Sequence, residues 1–170
     1  MYAILKLLFD ICLFKKSPQD LPYSWWLLRI LFIIYVLVRV LMLSIHYDRF
    51  EMLQQLVVDL FMVIFFVWMM VYLSGKQGRF CQTLAAILGT DAVISFFALP
   101  GLASMEIEQG GLLVFLIMLV LIIWHWAVTG YILSKALEKT LSFSLGIAFL
   151  YLLGSYQVMA LLFPEVASVK

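Results

Sequence analysis

The sequence predicts an all-α fold: a polytopic membrane bundle of five transmembrane helices preceded by a short amphipathic interfacial helix. Three observations predict it. The chain of 170 residues is 66% hydrophobic and 12% charged, against about 45–50% and about 25% for soluble domains. Five apolar stretches reach the length of about 20 residues that a membrane core of about 30 Å demands at 1.5 Å rise per residue. The links between them are too short to hold a folded soluble domain.

The first 24 residues form a segment of their own. Ile4, Leu5, Leu7, Leu8, Ile11, Cys12 and Phe14 supply an apolar face, while Lys6 and Asp10 stand four apart on one side and Lys15 and Lys16 close the run. At about a dozen residues it is too short to span, and it reads as an interfacial helix on the inner leaflet with Lys6, Lys15 and Lys16 toward lipid headgroups; packing against the bundle is the alternative. The opening Met1-Tyr2-Ala3-Ile4-Leu5 lacks the basic stretch of a secretory signal, so insertion without cleavage is expected. Pro18 and Pro22 then make the connection stiff and extended.

The transmembrane domain covers 25–163. Span one runs from about Trp25 to Ile45 behind Ser24 as N-cap, and span two from about Met52 to Leu73 after the polar link 46–51, so the two form a tight hairpin. Gly75 and Gly78, with Lys76 and Arg79, precede span three, about Phe80 to Leu99, which is the least hydrophobic and is expected to end at Pro100-Gly101. Span four, about Gly111 to Leu133, follows the link 106–110, and span five, about Leu141 to Phe163, is stopped by Pro164. Residues 164–170 form a tail.

Lys and Arg near span ends are retained on the cytoplasmic side. An inside N-terminus places seven cations within (Lys6, Lys15, Lys16, Lys76, Arg79, Lys135 and Lys139) and only Arg49 and Lys170 outside. The expected topology is therefore N-terminus inside, C-terminus opposite. A net charge of +1 with dispersed cations offers no field for nucleic acid. The expected partners are the lipid bilayer and other membrane proteins, or a second copy of the chain.

Ionisable groups inside a span need a reason, because each is penalised by about 2.5–3.5 kcal/mol at the centre on insertion scales. Arg39 and Asp59 lie at similar depths, about 9–10 Å below the same surface, and a salt bridge between them would fix the rotation of the hairpin; snorkelling or ligand binding are the alternatives. Asp91, near the middle of span three, must face protein or water. Gln157 and Ser155 reach a comparable outer-half depth, so Arg39, Asp59, Asp91 and Gln157 are expected to form one intramembrane polar network, either structural or functional. His125, between Trp124 and Trp126, is placed toward the inner half, away from Asp91, and reads as structural. Pairs of small residues four apart, Ala85 with Gly89, Gly130 with Ser134 and Ser142 with Gly146, suggest close helix approach.

No His-Glu-x-x-His, Gly-x-Ser-x-Gly or phosphate-loop motif occurs, and Gly89-Thr90-Asp91 lacks the second glycine of the intramembrane aspartyl-protease pattern. The two cysteines, Cys12 and Cys81, have no spacing for a metal site or a disulfide framework. No catalytic residue, cofactor or metal is expected.

Arg79-Phe80-Cys81-Gln82-Thr83, followed by Gly89-Thr90, resembles the Yip1 family of small five-span membrane proteins. That resemblance implies an N-terminus inside and a role exercised by binding partners and influencing membrane shape. The short, loop-poor chain with its brief inner-leaflet helix looks more like a bacterial inner-membrane protein, which is the expected location. The expected function is a non-enzymatic scaffold that organises membrane or partners. The alternative is a small transporter or channel component in which Arg39, Asp59 and Asp91 line a polar path. An intramembrane enzyme acting on lipid ranks last, since it would need Asp91 and His125 in one pocket.

Overall fold

The structure, a computed structural model, describes residues 2–45, 48–106 and 111–163. Six α-helices and no strand occur among the described residues: α1 (Tyr2–Cys12), α2 (Trp25–Leu43), α3 (Arg49–Leu73), α4 (Phe80–Glu106), α5 (Leu112–Leu137) and α6 (Leu141–Leu162). The last five are long and apolar enough to cross a membrane. The chain is an integral membrane protein with the predicted all-α architecture.

Local chemistry sets the element ends. Ser24 caps α2 by accepting from the Leu27 amide at 3.4 Å. A reciprocal capping box fastens the 3-10 turn Pro18–Asp20, with the Ser17 amide donating to Asp20 Oδ2 at 2.8 Å. At the opposite helix ends one device recurs. The amides of Lys15, Lys76 and Lys139 donate five residues back, to Asp10, Val71 and Ser134, closing α1, α3 and α5 around left-handed residues Phe14, Gly75 and Glu138. Only Gly75 takes that conformation without steric penalty.

Pro100 does not end the third span. The helix continues through it to Glu106. Proline deprives the carbonyl four residues earlier of its amide, but in a membrane helix that loss is tolerated where neighbours and hydroxyls compensate. The carbonyl so deprived is that of Phe96; just past the proline Gly101 lets α5 come so close that a Cβ would lie 2.7 Å from Met118 Sδ, and one turn further on the Ser104 hydroxyl donates to the Pro100 carbonyl at 2.8 Å. The fourth span is also longer than its hydropathy suggests, continuing to Leu137. The links His46-Tyr47 and 107–110, Pro164 and the tail 164–170 lie outside the described residues.

The least hydrophobic span is the central one. α4 is buried without interruption from Thr83 to Ala92 and packs against α1, α2, α3 and α5. Small and polar side chains suit it to that place, while the larger apolar side chains of the other spans face outward. α1 packs on α4 and α5 and buries Leu8, Ile11 and Cys12. Leu8 fills the hollow at Gly89, where a Cβ would meet its Cδ2 at 2.6 Å. The Trp124 indole donates to the Cys12 carbonyl at 2.9 Å and the Tyr131 hydroxyl to that of Phe14 at 3.2 Å. Lys6, Lys15 and Lys16 stay exposed.

Packing is uneven along the bundle. Toward the end where α1, α3 and α5 terminate, α5 buries Val128, Thr129, Gly130, Ile132 and Leu133. Toward the other end, α5 from Leu112 to Ile123 buries nothing fully, and the only fully buried residues of α6 are Ser144 and Ala148, in its first third. A crevice of about 530 Å³ separates the start of α3 from the end of α6. The bundle is tight at one end and splayed at the other.

Candidate functional site

Where the tight and splayed halves meet, every transmembrane helix contributes a polar side chain to one cluster. Arg39 on α2 lies at the centre. Its Nε is 3.2 Å from Asp59 Oδ2 of α3, and one terminal nitrogen is 3.2 Å from Asp91 Oδ2 of α4. His125 Nε2 of α5 approaches the other Asp91 oxygen, Oδ1, at 3.3 Å. Tyr35, one turn before Arg39, donates its hydroxyl to Asp59 Oδ2 at 2.5 Å and accepts from Arg39 Nε at 3.1 Å. From α6, Tyr151 and Ser155 complete the lining.

The salt bridge expected within the α2–α3 hairpin is present, and Asp91 joins it. Gln157 does not; it is exposed. Positions i and i+2 of an α-helix point about 200° apart, so Gln157 and Ser155 cannot face the same interior, and the face that turns inward carries Tyr151 and Ser155. Gly146, expected at a close helix contact, likewise faces open space, whereas Gly89 and Gly130 do sit at close approaches.

The placement of His125 away from Asp91 is corrected by their contact. Once α4 continues through Pro100 and α5 continues to Leu137, Asp91 lies about 17 Å along one helix and His125 about 20 Å along its neighbour. Both are then near mid-span. Tyr35, Thr129 and Tyr151 are cluster members that the sequence did not single out. The spacing of Tyr35 four residues before Arg39 was the available signal; Tyr151 offered none.

Two charges of opposite sign held at these distances are favourable only when their desolvation is compensated by further hydrogen bonds. Arg39 satisfies that condition by spreading its donors over Tyr35, Asp59 and Asp91 and by lying 5.3 Å from the Tyr35 ring centroid. Two carboxylates against one guanidinium still leave a charge of −1 while His125 is neutral. Protonating His125 brings the sum to zero. The cluster thus sets a formal excess of one carboxylate beside an imidazole.

A cavity of about 50 Å³ sits among these groups, roomy and polar enough to hold water. Beside it, on the splayed side, lies a cleft of about 280 Å³ with Arg39, Asp91, Ser95 and His125 among its lining and Met42, Leu102 and Met118 in its walls. Among the described residues no group of three His, Cys, Asp or Glu is disposed to hold a metal ion.

The tight end carries a second ionic constellation. Lys76 Nζ and an Arg79 terminal nitrogen reach the two Glu138 oxygens at 2.5 and 2.6 Å, and Arg79 also donates to the Ala136 carbonyl at 3.2 Å. The Lys76 and Arg79 hydrogen bonds hold the Glu138 carboxyl below its ordinary range. This clamp ties the α3–α4 link to the α5–α6 link and explains why a left-handed position that favours glycine carries glutamate.

No protein-family model, no curated protein and no solved structure matches the chain.

Proposed function

We propose that the protein is a small transporter component of the bacterial inner membrane, its N-terminus cytoplasmic and its C-terminus opposite, with the five-helix polar cluster as its proton-binding site. The observation that carries this reading is the unbalanced charge of Arg39, Asp59 and Asp91 beside His125, around a cavity at the floor of a cleft. A network that served packing alone would gain nothing from a residual charge in a low-dielectric interior. The Asp91–His125 pair has the composition of an acid–base dyad, yet among the described residues no hydroxyl or thiol hydrogen-bonds to His125, which favours proton binding over covalent catalysis. The orientation is supported by Lys15, Lys16, Lys76, Arg79, Lys135 and Lys139, which all belong to links or helix ends at the tight end.

Proteoliposomes with an entrapped pH dye and a clamped potential test the reading. Wild-type vesicles collapse an imposed pH gradient faster than protein-free ones, and Asp91→Asn returns the rate to that of empty vesicles while the purified protein keeps its helical content. Equal rates for wild-type and empty vesicles would sink it.

A second reading, a scaffold that binds membrane partners as the Yip1 resemblance implies, is favoured by the stretch Leu112 to Ile123 of α5. It is exposed on nearly every side, more than one lipid-facing stripe requires. Recovery of the chain alone after gentle solubilisation of native membranes would count against it.

A further inference from the structure

The cleft beside the cluster combines apolar walls with a charged floor, and the two together define a ligand. Met42, Ile94, Leu102 and Met118 make the walls, and Asp91 and His125 lie at the base with Arg39. At about 280 Å³ the cleft is near the lower end of small-molecule sites, which are lined mainly by apolar side chains with a few converging polar groups. Its two methionines are the side chains best able to adapt to ligands of differing shape.

The charge decides the class. The groups that face His125 and Asp91 are Tyr35 and Arg39 from α2, Asp59 from α3 and Tyr151 from α6, and together with Asp91 and a neutral His125 their formal sum is −1. An anion entering the cleft would deepen that deficit, and a neutral molecule would leave it. A cation removes it. Arg39 does not oppose this, because its guanidinium is engaged by Asp59 and by Asp91 Oδ2; the uncompensated charge sits at Asp91 Oδ1, on the His125 side.

Building on the proton-binding reading above, we infer that the cleft between α2, α4 and α5 binds an amphipathic organic cation, an ammonium or phosphonium bearing apolar substituents, in exchange for the proton held on His125. The exchange balances: the cation enters, the His125 N–H proton leaves to solvent, and the cluster remains neutral. The cleft lies on the splayed side, so both species use the same end.

Tetraphenylphosphonium binding to the purified full chain in detergent, followed by equilibrium dialysis and by proton release in weak buffer, tests this. Binding strengthens by about tenfold per pH unit over the range where one proton is exchanged for one cation, and about one proton appears per cation bound. Met118→Trp and Leu102→Trp, which narrow the cleft without altering its charges, each weaken binding by at least about tenfold, or about 1.4 kcal/mol, while the purified protein keeps its helical content. Tetraphenylborate, of the same shape and opposite charge, does not bind. The inference is overturned by pH-independent binding, by equal binding of the borate, or by binding that survives both tryptophans. Proton flux without phosphonium binding overturns this inference alone; absence of both overturns the transporter reading with it.

Discussion

Removing the guanidinium at position 39 is the sharpest test of the cluster's energetics. Arg39→Met keeps much of the side-chain volume but strips the contacts to Asp59 and Asp91, each at 3.2 Å. With an effective dielectric of about 20, each contact is worth about 5 kcal/mol before desolvation is subtracted. Breaking such a partly buried pair from one side leaves carboxylates without a counter-charge and destabilises by about 3–5 kcal/mol. The triple variant Arg39→Met, Asp59→Asn, Asp91→Asn removes the charges together and recovers most of that loss. Unfolding in mixed micelles by increasing denaturing detergent, read by tryptophan fluorescence, measures both. If the triple variant is as unstable as Arg39→Met alone, the loss reflects packing and the electrostatic argument is wrong.

Gly130→Ala places a Cβ 2.6 Å from Leu145 Cδ2 and 3.1 Å from the Leu145 Cα, so α5 and α6 must part, destabilising by about 1–3 kcal/mol in the same assay; Gly146→Ala, facing open space, stays within about 0.5 kcal/mol. Because Lys76 and Arg79 lower the Glu138 pKa, the stabilisation from this clamp is complete above the ordinary carboxylate value and is lost as pH falls through the lowered one. Glu138→Gln therefore abolishes part of the acid-induced loss of stability seen in wild type; identical acid profiles would refute the clamp. Burial pushes the Cys12 thiol up to about 12, so maleimide labelling near pH 8 is slow. Gly89→Ala, which displaces Leu8, speeds labelling without unfolding the spans, and an unchanged rate would show that Gly89 does not hold α1 in place.

Span number, span starts and the hairpin salt bridge were legible because they depend on length, hydropathy and spacing within a few residues. Trp25, Phe80 and Leu141 begin helices as expected. Pro100 does not end α4 because the rule that expects it to weighs proline in water, whereas here α5 packs closely against the helix at Gly101, just past the proline. That expectation moved the apparent midpoint of α4, and a similar one moved that of α5, so His125 and Asp91 were assigned different depths. Tyr35 and Tyr151 count as apolar in a hydropathy profile, and only tertiary structure turns their hydroxyls toward carboxylates. The apolar face of α1 was evident, but the choice between lipid and bundle depended on the hollow at Gly89, distant in sequence.

The chain order of the cluster also bears on how the protein is made. Among the spans the hairpin α2–α3 comes first, with its mid-span charges already paired, because Arg39 lies against Asp59 and Tyr35 donates to that carboxylate. α4 then brings Asp91, a carboxylate with no counter-charge on its own helix, whose cation partner is Arg39 of α2. Asp91 therefore finds its counter-charge on a helix synthesised before α4, and His125 and Tyr151 follow it in the chain. Chain order thus makes the counter-charge on α2 available before the α4 carboxylate that pairs with it.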